Sequence, residues 1–128
     1  MNKMFGRLAT AIFAATVLSV GVAVAHGNLE PEHGGTVQLV GDMSFELVTR
    51  QQGVELYVED DGEEVNSADL SAKMTIIDQG SKSEVLLQPA AGNKFEAKGL
   101  SIPKGARVAV LLTLADKQSK IGANFTIK

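Results

Sequence analysis

Val54-Glu55-Leu56-Tyr57-Val58-Glu59 alternates apolar and polar side chains without a break. Successive side chains of an extended chain point to opposite faces, so Val54, Leu56 and Val58 share one face and Glu55, Tyr57 and Glu59 the other. This is the pattern of a half-buried antiparallel strand, with one face on a core and one in water. Val108, Val110, Leu112 and Leu114 repeat it in the strongest apolar stripe of the chain.

Outward from these two stretches the same period continues, and no helical period competes with it. Thr36 to Val40 reads as a short strand. Met43 to Arg50 follows Gly41-Asp42, with Phe45 and Leu47 on one face and Glu46 and Val48 on the other. Asp60-Asp61-Gly62-Glu63-Glu64 is a turn, because Asp-Gly supplies the positive φ that reversals need. Asn66 to Leu70 is polar loop with room for one helical turn. Strands are then predicted over Ala72 to Ile77, Glu84 to Gln88, Lys94 to Lys98 and Ile121 to Ile127, separated by turns rich in glycine, proline and polar residues. Seven or eight short strands at this spacing predict an all-β fold, an immunoglobulin-like antiparallel β-sandwich.

The N-terminal part has a different composition. Lys3 and Arg7 precede an apolar run from Leu8 to Val24, which ends in Ala23-Val24-Ala25. A basic start, an apolar middle and a small-x-small end are the parts of a secretory signal peptide, with cleavage expected after Ala25. Residues 1–25 are therefore read as the signal, 26–35 as a glycine-containing arm that is flexible unless something ties it down, and 36–128 as the β-sandwich domain. After the leader no stretch is long and apolar enough for a membrane span. The chain contains no cysteine, so neither disulfides nor thiolate metal sites arise. The expected product is exported, most simply to a bacterial periplasm.

The whole chain carries 12 basic and 15 acidic residues. Lys3 and Arg7 would leave with the signal, so ten basic residues would face fifteen acidic ones, a net charge of −5. Without a basic run or a cluster of stacking aromatics, nucleic acid is not an expected partner. Enzymatic motifs are absent too: there is no Gly-x-Ser-x-Gly, no His-Glu-x-x-His and no phosphate-cradling loop. Both histidines lie in the arm, so none is placed elsewhere to activate a nucleophile. The chain is read as non-enzymatic.

Those two histidines carry the functional expectation. Cleavage after Ala25 would make His26 the first residue, offering its α-amine and ring nitrogen to one metal ion as a chelate. Glu30, Glu32 and His33 follow within the same arm. Imidazole suits copper, zinc and nickel, and carboxylates complete a borderline coordination shell. The amine–imidazole pair favours Cu(II) in particular, which accepts tetragonal nitrogen and oxygen donors. Glu46 and Met43, whose strand begins shortly after the arm, are further candidate ligands, the Met43 thioether for Cu(I). The acidic run Glu59, Asp60, Asp61, Glu63, Glu64 lacks the spacing of a calcium hand and reads as a solvated hairpin tip.

A family resemblance enters on the same residues. Glu32-His33-Gly34-Gly35, then Phe45-Glu46-Leu47-Val48, then Gly53 to Asp60, resembles the small β-domain attached to periplasmic adaptor subunits of heavy-metal efflux systems. The likeness covers most of residues 30–65 and fades afterwards. The long α-hairpin and lipoyl halves of an adaptor are missing, so the resemblance implies the detached domain without a pump-spanning role. A second, architectural likeness is to copper-resistance C-type periplasmic copper carriers, and it rests on His26 and chain length. Together these readings give a periplasmic transition-metal-binding accessory protein, acting as carrier, buffer or sensor. Its expected partner is an efflux-pump adaptor or another periplasmic metal-handling protein. The competing reading is an interaction module that docks through a sheet face or edge, with incidental histidines.

Overall fold

The computed structural model describes residues 29–128, so the signal segment and His26 lie outside the described residues. The strands are β1 (Thr36–Val40), β2 (Met43–Arg50), β3 (Gly53–Asp60), β4 (Glu63–Glu64), β5 (Ser71–Asp78), β6 (Ser81–Pro89), β7 (Lys94–Lys98), β8 (Arg107–Thr113) and β9 (Lys120–Thr126). A single 3-10 turn at Ser67–Asp69, capped by the Asn66 side chain, occupies the polar loop before β5. The all-β expectation holds among the described residues, and no helix there is long and apolar enough to cross a membrane.

All pairings are antiparallel, and the strands join into one sheet in the order β1-β2-β3-β7-β6-β5-β8-β9, with β4 attached to β3. The end strands β1 and β9 lie beside each other, so the sheet curls into a nearly closed, barrel-like shape. Nine strands are found among the described residues because the chain reverses faster than expected after β3. Asp61 at φ 53° and Gly62 at φ 80° form a two-residue turn with both central residues left-handed. That geometry returns Glu63 and Glu64 opposite Asp60 and Glu59 as a short strand.

The two decisive stripes meet in one core, as their periodicity requires. Phe45, Leu56, Val58, Met74, Phe95, Val110 and Leu112 are all buried there, with Val54, Val108 and Phe125 around them. Leu114 packs at its margin. β2 departs from simple alternation, because residues 43–48 are buried on both faces. Its inner side chains, Met43, Phe45 and Leu47, belong to the core. Its outer ones, Ser44, Glu46 and Val48, are covered by something outside the sheet, and that cover is the N-terminal arm.

Leu112 is fully buried opposite Ala72 and Ile121. Leu112→Ala should cost about 2–5 kcal/mol, the usual range for a large-to-small core change. Denaturant unfolding of the purified domain checks this, and a loss below about 1 kcal/mol would mean that the stripe is not core.

Candidate functional site

The register of the first three strands builds the floor of the site. Val37, Glu46 and Tyr57 stand directly opposite one another across β1, β2 and β3, and Leu39, Ser44 and Glu59 form the next row. These side chains share the outer face, the one that alternation assigned to water. Residues 32–35 fold back over this face and bury the Glu46 carboxylate, whose side chain is 7% exposed.

A buried carboxylate must be met by hydrogen-bond donors, and here the arm supplies them. The backbone N–H of Glu32 donates to Oε1 at 3.1 Å, and those of His33 and Gly35 donate to Oε2 at 2.9 Å each. The Nδ1 of His33 meets Oε1 at 3.0 Å. Several amides aimed at one anion form a backbone nest, a conformation that needs a left-handed residue within it. Gly34 provides this at φ +76°. Gly35 answers a different demand: a Cβ there would stand 2.3 Å from the Leu47 carbonyl oxygen and 2.7 Å from Val48 Cγ2. Only a bare backbone can approach β2 that closely, so both glycines of the His-Gly-Gly segment are accounted for.

The His33 ring lies flat on Tyr57, with centroids 3.5 Å apart and planes within 4°. Tyr57 is held in turn, its hydroxyl donating to Glu55 Oε2 at 2.7 Å. Glu55 also pairs with Arg50 and, at 3.4 Å, with Lys94. The ring is thus fixed at its edge by Glu46 and on its face by Tyr57. Glu30, Glu32, His33, Ser44, Tyr57 and Glu59 line a small cavity of about 20 Å³ beside it. That volume suits one water or one ion and is far too small for an organic ligand.

The electrostatics follow from these contacts. Burial pushes the Glu46 carboxyl up, but the Gly35, His33 and Glu32 amides and the His33 ring outweigh it and hold it below the usual carboxylate range. Glu59 shifts the opposite way, raised by burial and by the carboxylates of Glu32, Glu64 and Glu46. Glu55 is lowered, first by the Tyr57 hydroxyl and then by Arg50 and Lys94 against an opposing effect of burial.

Of the predicted ligands, the structure brings Glu30, Glu32, His33 and Glu46 together around one cavity. Met43 is separated from them by the sheet itself, because it faces the core while Glu46 faces the arm. The Glu46 oxygens are taken up by arm donors, which makes this residue the support of the histidine. Among the described residues, no three His, Asp or Glu side chains converge as a ready-made metal centre. Sequence reasoning missed Tyr57 and Glu59. Each stands directly across the strand pair from an outer residue of β2, Tyr57 from Glu46 and Glu59 from Ser44, and that pairing was the available signal.

Comparisons with known proteins return no match, whether to protein-family models, to curated proteins or to solved structures.

Because the folded Glu46 carboxyl sits below its ordinary value of 4.5, its contribution is complete above that pH and is lost as pH falls through the lower folded value. Acidification should therefore release residues 32–35, seen as a cooperative shift of the Glu32, His33 and Gly35 amide resonances below pH 4.5. Glu46→Gln should remove that transition. Persistence of the same titration in the variant would assign it to another group.

Proposed function

We propose that this chain is an exported, periplasmic accessory protein that binds a divalent transition metal for a heavy-metal resistance or efflux system, as carrier, buffer or sensor. The observation that carries the reading is the His33–Glu46 contact. A metal-binding imidazole characteristically gives its other ring N–H to a carboxylate, which fixes the tautomer and makes the free nitrogen a better ligand. With Nδ1 turned to Glu46 at 3.0 Å, a neutral His33 ring keeps its lone pair on Nε2. Glu30, Glu32 and Glu59 line the ion-sized space beside the ring. His26, with its α-amine, completes a nitrogen-rich set once the signal is cleaved after Ala25. Imidazole and carboxylate without thiolate suit copper first, and zinc or nickel after it.

Location and partner follow from the leader and from the resemblance of residues 30–65 to the adaptor-associated domain. The immunoglobulin-like sandwich belongs to the same reading. Its support is the narrow junction between β6 and β7, where only Gln88–Glu96 and Pro89–Phe95 pair. The interaction-module alternative is favoured by β1, an end strand whose five residues carry no charge. β1 lies beside β9 without backbone pairing to it, so a strand from another chain would add between the two.

The chain has one tyrosine and no tryptophan, and that tyrosine is Tyr57. Its fluorescence therefore reports directly on the ring stacked against it. Cu(II) added to the processed chain should quench Tyr57 saturably and bind more tightly than Zn(II). Affinity should weaken as pH falls, because protons and metal compete for the same lone pairs. His33→Ala should remove most of the quenching, and a residue added ahead of His26 should weaken binding further. If calorimetry and fluorescence find no saturable binding of copper, zinc or nickel, the interaction-module reading takes its place.

A further inference from the structure

β6 is nine residues long, yet β7 covers only its last two. Gln88 and Pro89 pair with Glu96 and Phe95, and β7 then follows β3 alone, with Ala97 opposite Val54 and Lys98 opposite Gly53. A cleft of about 450 Å³, lined by Val85, Leu86, Gln88, Glu96, Ala97 and Lys98, opens where β6 and β7 part. We infer that a second copy of this chain pairs with the uncovered edge of β6, antiparallel over residues 81–85, about a two-fold axis through Ser83. The inference is independent of the metal reading.

The turn before β6 decides which backbone groups face that edge. Gln79 and Gly80, at φ 47° and 83°, make a two-residue reversal, so Asp78 and Ser81 exchange both hydrogen bonds. Hydrogen-bonding direction alternates along a strand, so Ser83, Val85 and Leu87 turn to β5 as well. Lys82, Glu84 and Leu86 therefore aim N–H and C=O the other way, where no described strand receives them. A row of unpaired backbone groups is a template for another strand. Leu86, at 61% exposure, stands on the same edge.

Charge and space leave one register for a second copy. A two-fold axis sets the same patch against itself, and edge-facing residues must meet edge-facing residues, so the axis falls on a residue. Centred on Lys82 or on Glu84, the ladder would set like charges directly opposite, which is destabilising. Centred on Val85 or on Leu86, it would run into Gln88, which β7 already holds. Centred on Ser83, Lys82 of each copy meets Glu84 of the other, so the attractive pair occurs twice. Glu84 also meets Lys73 of β5 at 3.8 Å, which would place it between two cations. Ser83 would face its own copy, with hydroxyls that can both donate and accept. Leu86 would come beside Gly80 of the second copy, whose surroundings are open to a side chain. Charged residues on an edge ordinarily deter pairing; here their order admits one alignment and rejects its neighbours.

The interface is short. It engages far fewer than the about 20–30 residues a side of a stable complex, so the dimer is weak and forms at high concentration. Sedimentation of the processed chain at millimolar concentration should show the average mass rising toward that of two chains. Lys82→Glu and Glu84→Lys should each weaken this association by about tenfold or more, since each turns two attractive pairs into two repulsive ones. Both side chains are exposed, so the fold does not depend on them. An equal mixture of the two variants should associate again, because one chain then carries two acids on the edge and the other two bases. In the natural chain, amide shifts at Lys82, Glu84 and Leu86 should change with concentration. A chain that stays monomeric, association indifferent to both substitutions, a mixture no better than either variant alone, or shifts confined to β1 and β9 overturns the inference.

Discussion

A single carboxylate buried on the outside of a β-sheet organises the N-terminal half of this protein. Glu46 belongs to the face of β2 that alternation assigns to solvent, yet only 6% of the residue is accessible. Its charge is tolerated because the arm brings three amides and an imidazole to it, at 2.9 to 3.1 Å. An isolated buried carboxylate would cost several kcal/mol, so carboxylate and arm stabilise each other or separate together. Everything proposed for His33 depends on that contact. It selects the nitrogen that keeps the lone pair, places the ring on Tyr57, and draws Glu30 and Glu32 toward Glu59.

The arrangement also separates site from scaffold. The core of Phe45, Leu56, Met74, Phe95, Val110 and Leu112 lies on the other side of the sheet and owes nothing to the arm. If Glu46 loses its charge, the amides of residues 32–35 need not stay buried without partners, since the arm is peripheral and water can receive them. The expected loss is docking, with the barrel intact. Binding energy spent on the arm can thus alter its position without putting the fold at risk.

Much of the scaffold was legible because its strands bury one face each. β1, β2 and β7 match their sequence-derived limits, and the others differ by a few residues at their ends. β4 was not legible: two consecutive glutamates carry no apolar signal, and only the tight Asp61-Gly62 turn brings them back onto β3. The site was legible in part. Residue type and proximity flagged Glu30, Glu32, His33 and Glu46, but the arm read as flexible unless tied down, and residue type alone did not show the tie at residues 32–35. Periodicity reports which face a residue occupies and is silent on what later covers that face. Glu46 reads as a solvated outer residue until the glycines of the arm are seen to permit an approach that any Cβ would block. Tyr57 was passed over for the same reason, since its role comes from a ring packed on it from a distant segment.

The central claim is that Glu46 fixes the His33 ring with its hydrogen on Nδ1 and its lone pair on Nε2. Long-range nitrogen–carbon-bound-proton correlation NMR of the imidazole reads this directly in the metal-free protein, at a pH where the ring is neutral. The account predicts one dominant form, with Nδ1 protonated and Nε2 bare. A ring protonated mainly on Nε2, or the averaged shifts of a free imidazole, would contradict it.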